Sequence, residues 1–332
     1  MSFERILRTA ALALCVVGGT TSALAQAVMV DPTLPDYVAT QGVSGSLKSV
    51  GSDTMNNEMT LWAEGFKKFY PNVKVEIEGK GSSTAPPAMA AGTAQIGPMS
   101  REMKQKEIDD FEKKFGYKPT ALETSIDVLA VYVHKDNPVK GMTVQEVDAV
   151  FSKTRKGGFA KDLRTWGEAG LEKEWATLPI SLYGRNSASG TYGYFKEHAL
   201  SNGDFKSEVK EQPGSSSVVQ GVASDKGGVG YSGIGYKTAD VRAVPLARKA
   251  GEPFIDATTE NAYSGAYPMA RFLLVYVNHK PGTELDPLRR EFIKYVFSKQ
   301  GQMAVVKDGY IPVMKPIADR NLAKFGIKAG KS

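Results

Sequence analysis

Cysteine is nearly absent: the 332-residue chain has one, Cys15, inside an apolar stretch near its start. That stretch has a basic beginning at Arg5 and Arg8, an apolar centre from Ala10 to Val17, and Ala23-Leu24-Ala25 at its end. The pattern predicts a secretory signal peptide over residues 1–25. Leu14 is too bulky for the small residue that a lipoprotein cleavage site needs before its cysteine. The mature chain is therefore expected to be free of cysteine, which excludes disulfides, thiolate metal sites and cysteine nucleophiles. Stability must then come from a full-sized core, which this length supplies.

Histidine is scarce too. His134, His198 and His279 are scattered, with nothing at zinc-ligand spacing, so no metal centre or other cofactor is expected. G-x-S-x-G is missing, and Gly92 to Gly97 is followed by Pro98, which rules out a Walker loop. Gly228 to Gly233, GVGYSG, matches G-x-G-x-x-G without the apolar strand before it or the clear helix after it that dinucleotide binding requires. It reads as a glycine-rich strand or turn. After the signal no apolar run reaches spanning length; Phe272 to Val277 reads as a buried strand. Lys and Arg number 42 against 36 acidic residues, and removing Arg5, Arg8 and Glu4 leaves 40 − 35 = +5. The excess is mild, and clusters such as KKFYPNVK are broken by apolar residues, so nucleic acid is not a partner.

What remains is an alternation of short strands and helices. A Pro-rich lead, residues 26–43, reads as a linker. SLKSVG predicts a strand, Thr54 to Tyr70 a helix with Met55, Met59, Trp62, Phe66 and Phe69 at spacings of three or four, and VKVEIEG another strand. Thr84, before Pro86, reads as a helix cap. Pro287 to Val306 reads as one C-terminal helix. This order implies an α/β fold with a parallel or mixed sheet. Two long apolar strands, Ile126 to His134 and Met269 to Asn278, flank the middle block. If both cross between lobes, the chain builds lobe one from 44–130 and 272–328, lobe two from 131–271, and leaves a hinged cleft between them.

Three segments repeat one arrangement of strand, small polar turn and helix start: Gly51-Ser52-Asp53-Thr54-Met55, Gly81-Ser82-Ser83-Thr84 and Ser187-Ala188-Ser189-Gly190-Thr191. A helix start presents unpaired N–H groups and partial positive charge, so hydroxyls there complete an anion cradle. Each turn alone is better explained as plain capping; their recurrence favours a site. Arg185 precedes the third turn and Arg101 follows Gly97-Pro98-Met99-Ser100. A guanidinium fork matches two oxygens of an oxyanion, although a surface ion pair is the commoner fate of an arginine.

GSDTM, GSST, GPMSR and RNSASGTYGYF, in this order and spacing, resemble the periplasmic phosphate-binding proteins of bacterial high-affinity phosphate ABC transporters, from about Val43 to Ile327. The R-x-x-x-S-G-T element is the most specific part. The resemblance implies a two-lobed type II periplasmic-binding fold with two crossing strands as hinge, inorganic phosphate as ligand, and a cytoplasmic-membrane ABC permease as partner. The signal peptide places the protein in the periplasm, secreted or surface-associated forms remaining open, and a monomer without enzymatic activity is expected. By position, Thr54 and the Met55 N–H would donate to phosphate, with Ser82, Arg185, Ser189, Gly190 and Thr191 closing the cradle. Many family members have Ser-Asp where this chain has Ser100-Arg101, and that Asp accepts a phosphate proton. Asp127, a carboxylate inside an apolar strand, is the substitute acceptor, or else pairs with Arg101 or Arg185 as support. Rival readings are a sulfate or molybdate receptor, a secreted phosphatase and a surface adhesin.

Overall fold

The computed structural model describes residues 29–328. The expected signal peptide and Cys15 lie outside the described residues. Strand β1 (Ser46–Gly51) is followed by helix α1 (Asn56–Lys67), β2 (Lys74–Gly79), a short 3-10 turn at Ser82–Thr84, α2 (Ala85–Ala91) and β3 (Ile96–Met99). Then come α3 (Gln105–Phe115) and the long strand β4 (Thr120–His134), with β5 (Met142–Thr143) and α4 (Val144–Phe151) after it. The middle of the chain supplies β6 (Ser181–Arg185), α5 (Gly190–His198), β7 (Lys210–Gln212), α6 (Ser215–Ala223) and β8 (Gly228–Gly233). Strand β9 (Val241–Ala243), β10 (Leu246–Ala247) and α7 (Thr259–Tyr263) precede the return strand β11 (Ala270–Val277). The chain ends with α8 (Pro287–Val296), α9 (Lys299–Lys307), β12 (Ile311–Pro312) and α10 (Lys315–Ala323).

The main sheet is mixed, in the order β2-β1-β3-β11-β4-β8-β6-β7. On one side β1 runs parallel to β2 and β3; on the other β6 runs parallel to β7 and β8. Strand β4 joins the sides. Its first part, through Val128, pairs with β11, and its second part, from Leu129, pairs with β8 and β9. Of the two segments expected to cross, β4 passes through as one strand. The return crosses just before β11 begins, where Leu129 N donates to Met269 O at 3.0 Å.

Two apolar cores flank the crossing. The first gathers Met59, Trp62 and Phe66 of α1 with Leu273, Phe292 and Tyr295. The spacing of those α1 residues buries one face of the helix, and truncating such a core aromatic costs about 3–5 kcal/mol. The second gathers Val131, Phe151, Trp166, Phe195 and Tyr231, with the rings of Phe195 and Tyr231 stacked at 3.9 Å. Strand β8 is GVGYSG, fully buried against α6. A Cβ at Gly230 would stand 2.8 Å from side-chain carbons of Val218 and Val222, so glycine there serves close helix packing.

Three local expectations are corrected. The Pro-rich lead is no linker. Leu34 and Tyr37 belong to the first core, Tyr37 Oη donates to Glu291 Oε2 at 2.8 Å, and Lys299 N donates to Pro35 O at 2.9 Å. The C-terminal helix is two: Ser298 ends α8 by donating to Tyr295 O and opens α9 by accepting from Gly301 N. Thr84 stands at the cap position of α2, but its hydroxyl donates back to Gly81 O and makes no capping bond.

Candidate anion site

The ends of β1, β3 and β6 point their following turns at one place. Thr54, just before α1, brings its Oγ1 to 2.8 Å from Thr191 Oγ1 on the first turn of α5, and to 3.4 Å from Ser215 Oγ at the start of α6. Ser82, opening the 3-10 turn before α2, accepts from Ser100 N at 3.0 Å. Ser100 Oγ lies 3.3 Å from Ser82 Oγ, 3.4 Å from Thr191 Oγ1 and 3.1 Å from Ser52 Oγ. All six hydroxyls are buried. Residues from two sides of the crossing, 137 positions apart for Thr54 and Thr191, thus form one continuous hydroxyl cluster. A hydroxyl rotates its proton at little cost, so a chain of mutually bonded hydroxyls can turn its donors toward an acceptor.

The helix starts behind the hydroxyls add direction. Helices α1, α5 and α6 all begin at the cluster and turn the positive ends of their dipoles toward it, with Ser215 N of α6 taken by Asp53 and Tyr192 N of α5 by Ser189. Carbonyls of the first turn are held from below: Tyr310 Oη donates to Thr54 O at 2.8 Å and Tyr236 Oη to Asp53 O at 3.1 Å. Gly190 allows the two sides to close. A Cβ there would fall 2.2 Å from Ser82 Oγ and 2.7 Å from Ser100 Oγ.

Arg185, at the end of β6, is 2% exposed and its backbone N donates to Tyr231 Oη. Nη1 donates to Ser215 Oγ at 2.7 Å and lies 3.2 Å from Asp53 Oδ1; Nη2 donates to Pro213 O at 3.2 Å. Its Nε is buried without a hydrogen-bond partner among the described residues. Burial pushes the guanidinium below its ordinary pKa while Asp53 acts the other way, and an arginine stays cationic regardless.

Of the residues predicted from sequence, Thr54, Ser82, Arg185, Gly190 and Thr191 come together here. Met55 stands at the cap position of α1 with its side chain in the first core. Ser189 is beside the cluster, its hydroxyl spent on capping α5 through Tyr192 N at 3.3 Å. Arg101 does not join. Its guanidinium makes a bidentate pair with Glu107, at 2.7 and 2.8 Å, and also donates to Glu102 O and Ser83 Oγ. A carboxylate on the first turn of α3 has taken the fork. Asp127 pairs with neither Arg101 nor Arg185. Its Oδ2 accepts from Arg271 Nε and Nη2 at 3.0 and 2.8 Å, and its Oδ1 from Ile234 N at 3.0 Å.

Sequence reading missed Ser100, Ser215 and Arg271. Ser215 follows Pro213-Gly214, a fourth turn of the same small polar kind, and that repetition was a usable signal. Arg271 looked like part of an apolar strand. It is 3% exposed and donates to Ser100 O at 2.6 Å and to Thr191 Oγ1 at 2.9 Å, so it ties the cluster to Asp127.

A family model described as a PBP superfamily domain matches residues 38–300. A phosphate-binding protein PstS of Pseudomonas aeruginosa is 54% identical over 328 residues, 98% of this chain and 100% of that protein. The chain belongs to the PBP superfamily and, within it, to the PstS family. PstS of Bacillus subtilis is 27% identical over 84% of this chain and 85% of its own length. A crystal structure from Clostridium perfringens, described as a phosphate ABC transporter substrate-binding protein with bound phosphate, superposes with a TM-score of 0.68 at 26% identity, covering 81% of this chain and all of that one. The fold is thus the two-lobed type II periplasmic-binding architecture. Among the described residues no helix is long and apolar enough to cross a membrane.

Proposed function

We propose that this protein is a periplasmic receptor that closes on inorganic phosphate at the hydroxyl cluster and delivers it to an ABC permease, as a monomer and without chemical turnover. The observation that carries this reading is the convergence of buried hydroxyls and helix starts from both sides of the crossing on Arg185, whose Nε has no partner. Thr54, Ser82 and Thr191 supply hydroxyl donors, the Met55 and Gly190 backbones supply N–H groups, and Arg185 supplies the charge. Ser189 holds α5 in place, Arg271 supports Thr191, and Asp127 acts through Arg271. Micromolar binding corresponds to about −8 kcal/mol. Each hydrogen bond to a charged group adds about 1.5–3 kcal/mol, so five or six donors supply it with closure costs included.

The PstS relatives and the phosphate-bound neighbour favour phosphate over sulfate or molybdate. Titration calorimetry on the mature chain is expected to show micromolar or tighter phosphate binding that excess sulfate leaves intact. Tighter binding of sulfate contradicts the proposal, and so does turnover of p-nitrophenyl phosphate.

A further inference from the structure

A carboxylate repels a neighbouring anion unless it is free to accept a proton from it, and Asp53, beside Thr54 in the turn between β1 and α1, already has its Oδ1 engaged. Its Oδ1 accepts from Ser215 N at 2.8 Å and lies 3.2 Å from Arg185 Nη1. Both partners come from the opposite side of the crossing, Arg185 from the end of β6 and Ser215 from the first residue of α6. The start of α6 favours a negative charge, and the Arg185 cation favours it again.

The effect on Arg185 is geometric. A guanidinium is a rigid plane, and Asp53 and Ser215 Oγ both engage Nη1 while Pro213 O takes one proton of Nη2. What remains is the edge shared by Nε and Nη2, and Nε is the buried nitrogen without a partner. The second buried pair, Asp127 with Arg271, joins β4 and β11, strands that are hydrogen-bonded neighbours, so it stays intact when the two sides part. The Asp53 pair spans the cleft and breaks on opening.

We propose that Asp53 is a cross-cleft positioning residue: it fixes the plane of Arg185, presents the Nε edge to phosphate, and fastens the two sides while the anion is held. This rests on the phosphate reading above. The test is phosphate calorimetry and stopped-flow release on the mature chain, comparing wild type, Asp53→Asn, Asp53→Glu, Arg185→Lys and the Asp53→Asn/Arg185→Lys double variant. Asp53→Asn is expected to bind about 10-fold more weakly, chiefly through faster release. Asp53→Glu recovers part of the loss. In the Arg185→Lys background Asp53→Asn changes affinity less than about twofold, because its effect runs through the guanidinium. Asp53→Ser, which retains a polar partner for Ser215 N, takes its place in the cycle where Asp53→Asn does not fold. Affinity equal to or tighter than wild type in Asp53→Asn, or the same loss in both backgrounds, overturns the role of Asp53. A wild-type chain that ignores phosphate overturns the functional reading itself.

Discussion

Two buried arginines at strand ends on opposite sides of the crossing meet opposite fates. Arg101 follows β3 and is met six residues later by Glu107 on the first turn of α3, which takes both nitrogens of its fork. Arg185 ends β6 and is met by neutral acceptors and one carboxylate, all on the Nη nitrogens, leaving Nε unused. Availability to a ligand is thus decided by which edge of the guanidinium the protein has already occupied. Carboxyls with little access to solvent show the same contrast. Asp127 is taken by Arg271, whereas Asp308 faces acids: burial, with Asp127 close by, pushes it up to about 7. Burial, with Asp308 and Asp127 beside it, likewise holds Glu58 well above the carboxylate range.

The largest expected effect comes from removing the available arginine. Arg185→Ala is expected to lose about 1000-fold in phosphate affinity, roughly 4 kcal/mol, while its circular dichroism stays native. A loss under tenfold would erase the contrast with Arg101.

Asp308, which has a backbone hydrogen bond from Glu58 but no cation among the described residues beside it, comes next. Its folded pKa of about 7 lies above the ordinary 3.8. The folded chain therefore holds a proton that the unfolded chain releases, and this group's contribution to stability is complete below about pH 4 and lost as pH rises through about 7. Asp308→Asn is expected to flatten that decline and to raise stability at pH 8 by about 3 kcal/mol, read by denaturant melts at a series of pH values. An unchanged slope would remove Asp308 from the account.

Closure can be broken without touching either charge. Gly190→Ala puts a methyl group against Ser82 and Ser100 and is expected to weaken phosphate about 30-fold, near 2 kcal/mol of overpacking. Small-angle scattering should then lose the compaction that phosphate induces in wild type. Normal compaction in the variant would show that the two sides meet elsewhere. Smallest is Arg101→Ala, expected to lower stability by about 1–3 kcal/mol through its unpaired Glu107 and to leave phosphate affinity within about threefold of wild type. A 100-fold affinity loss there would return Arg101 to the cradle.

Much of this was legible in the sequence because the signals are local. The α1 stripe, the alternation of strands and helices, and the small polar turns each follow from spacing within a few residues. Thr54, Ser82 and Thr191 were found because each sits at a helix start. What stayed hidden depends on contacts between distant segments. Nothing near Asp127 reveals that its partner is Arg271, 144 positions away, and nothing in the Pro-rich lead reveals that Tyr37 docks on Glu291, 254 positions on. The break at Ser298 was missed for another reason: apolar periodicity continues across it while the hydroxyl caps both ways.

A crystal structure of the mature chain grown with phosphate tests the central claim most directly. The account predicts one anion bonded to Arg185 Nε and to the hydroxyls of Thr54, Ser82 and Thr191, with Arg101 still on Glu107. An anion seated away from Arg185, with Nε as unpartnered as before, would contradict it.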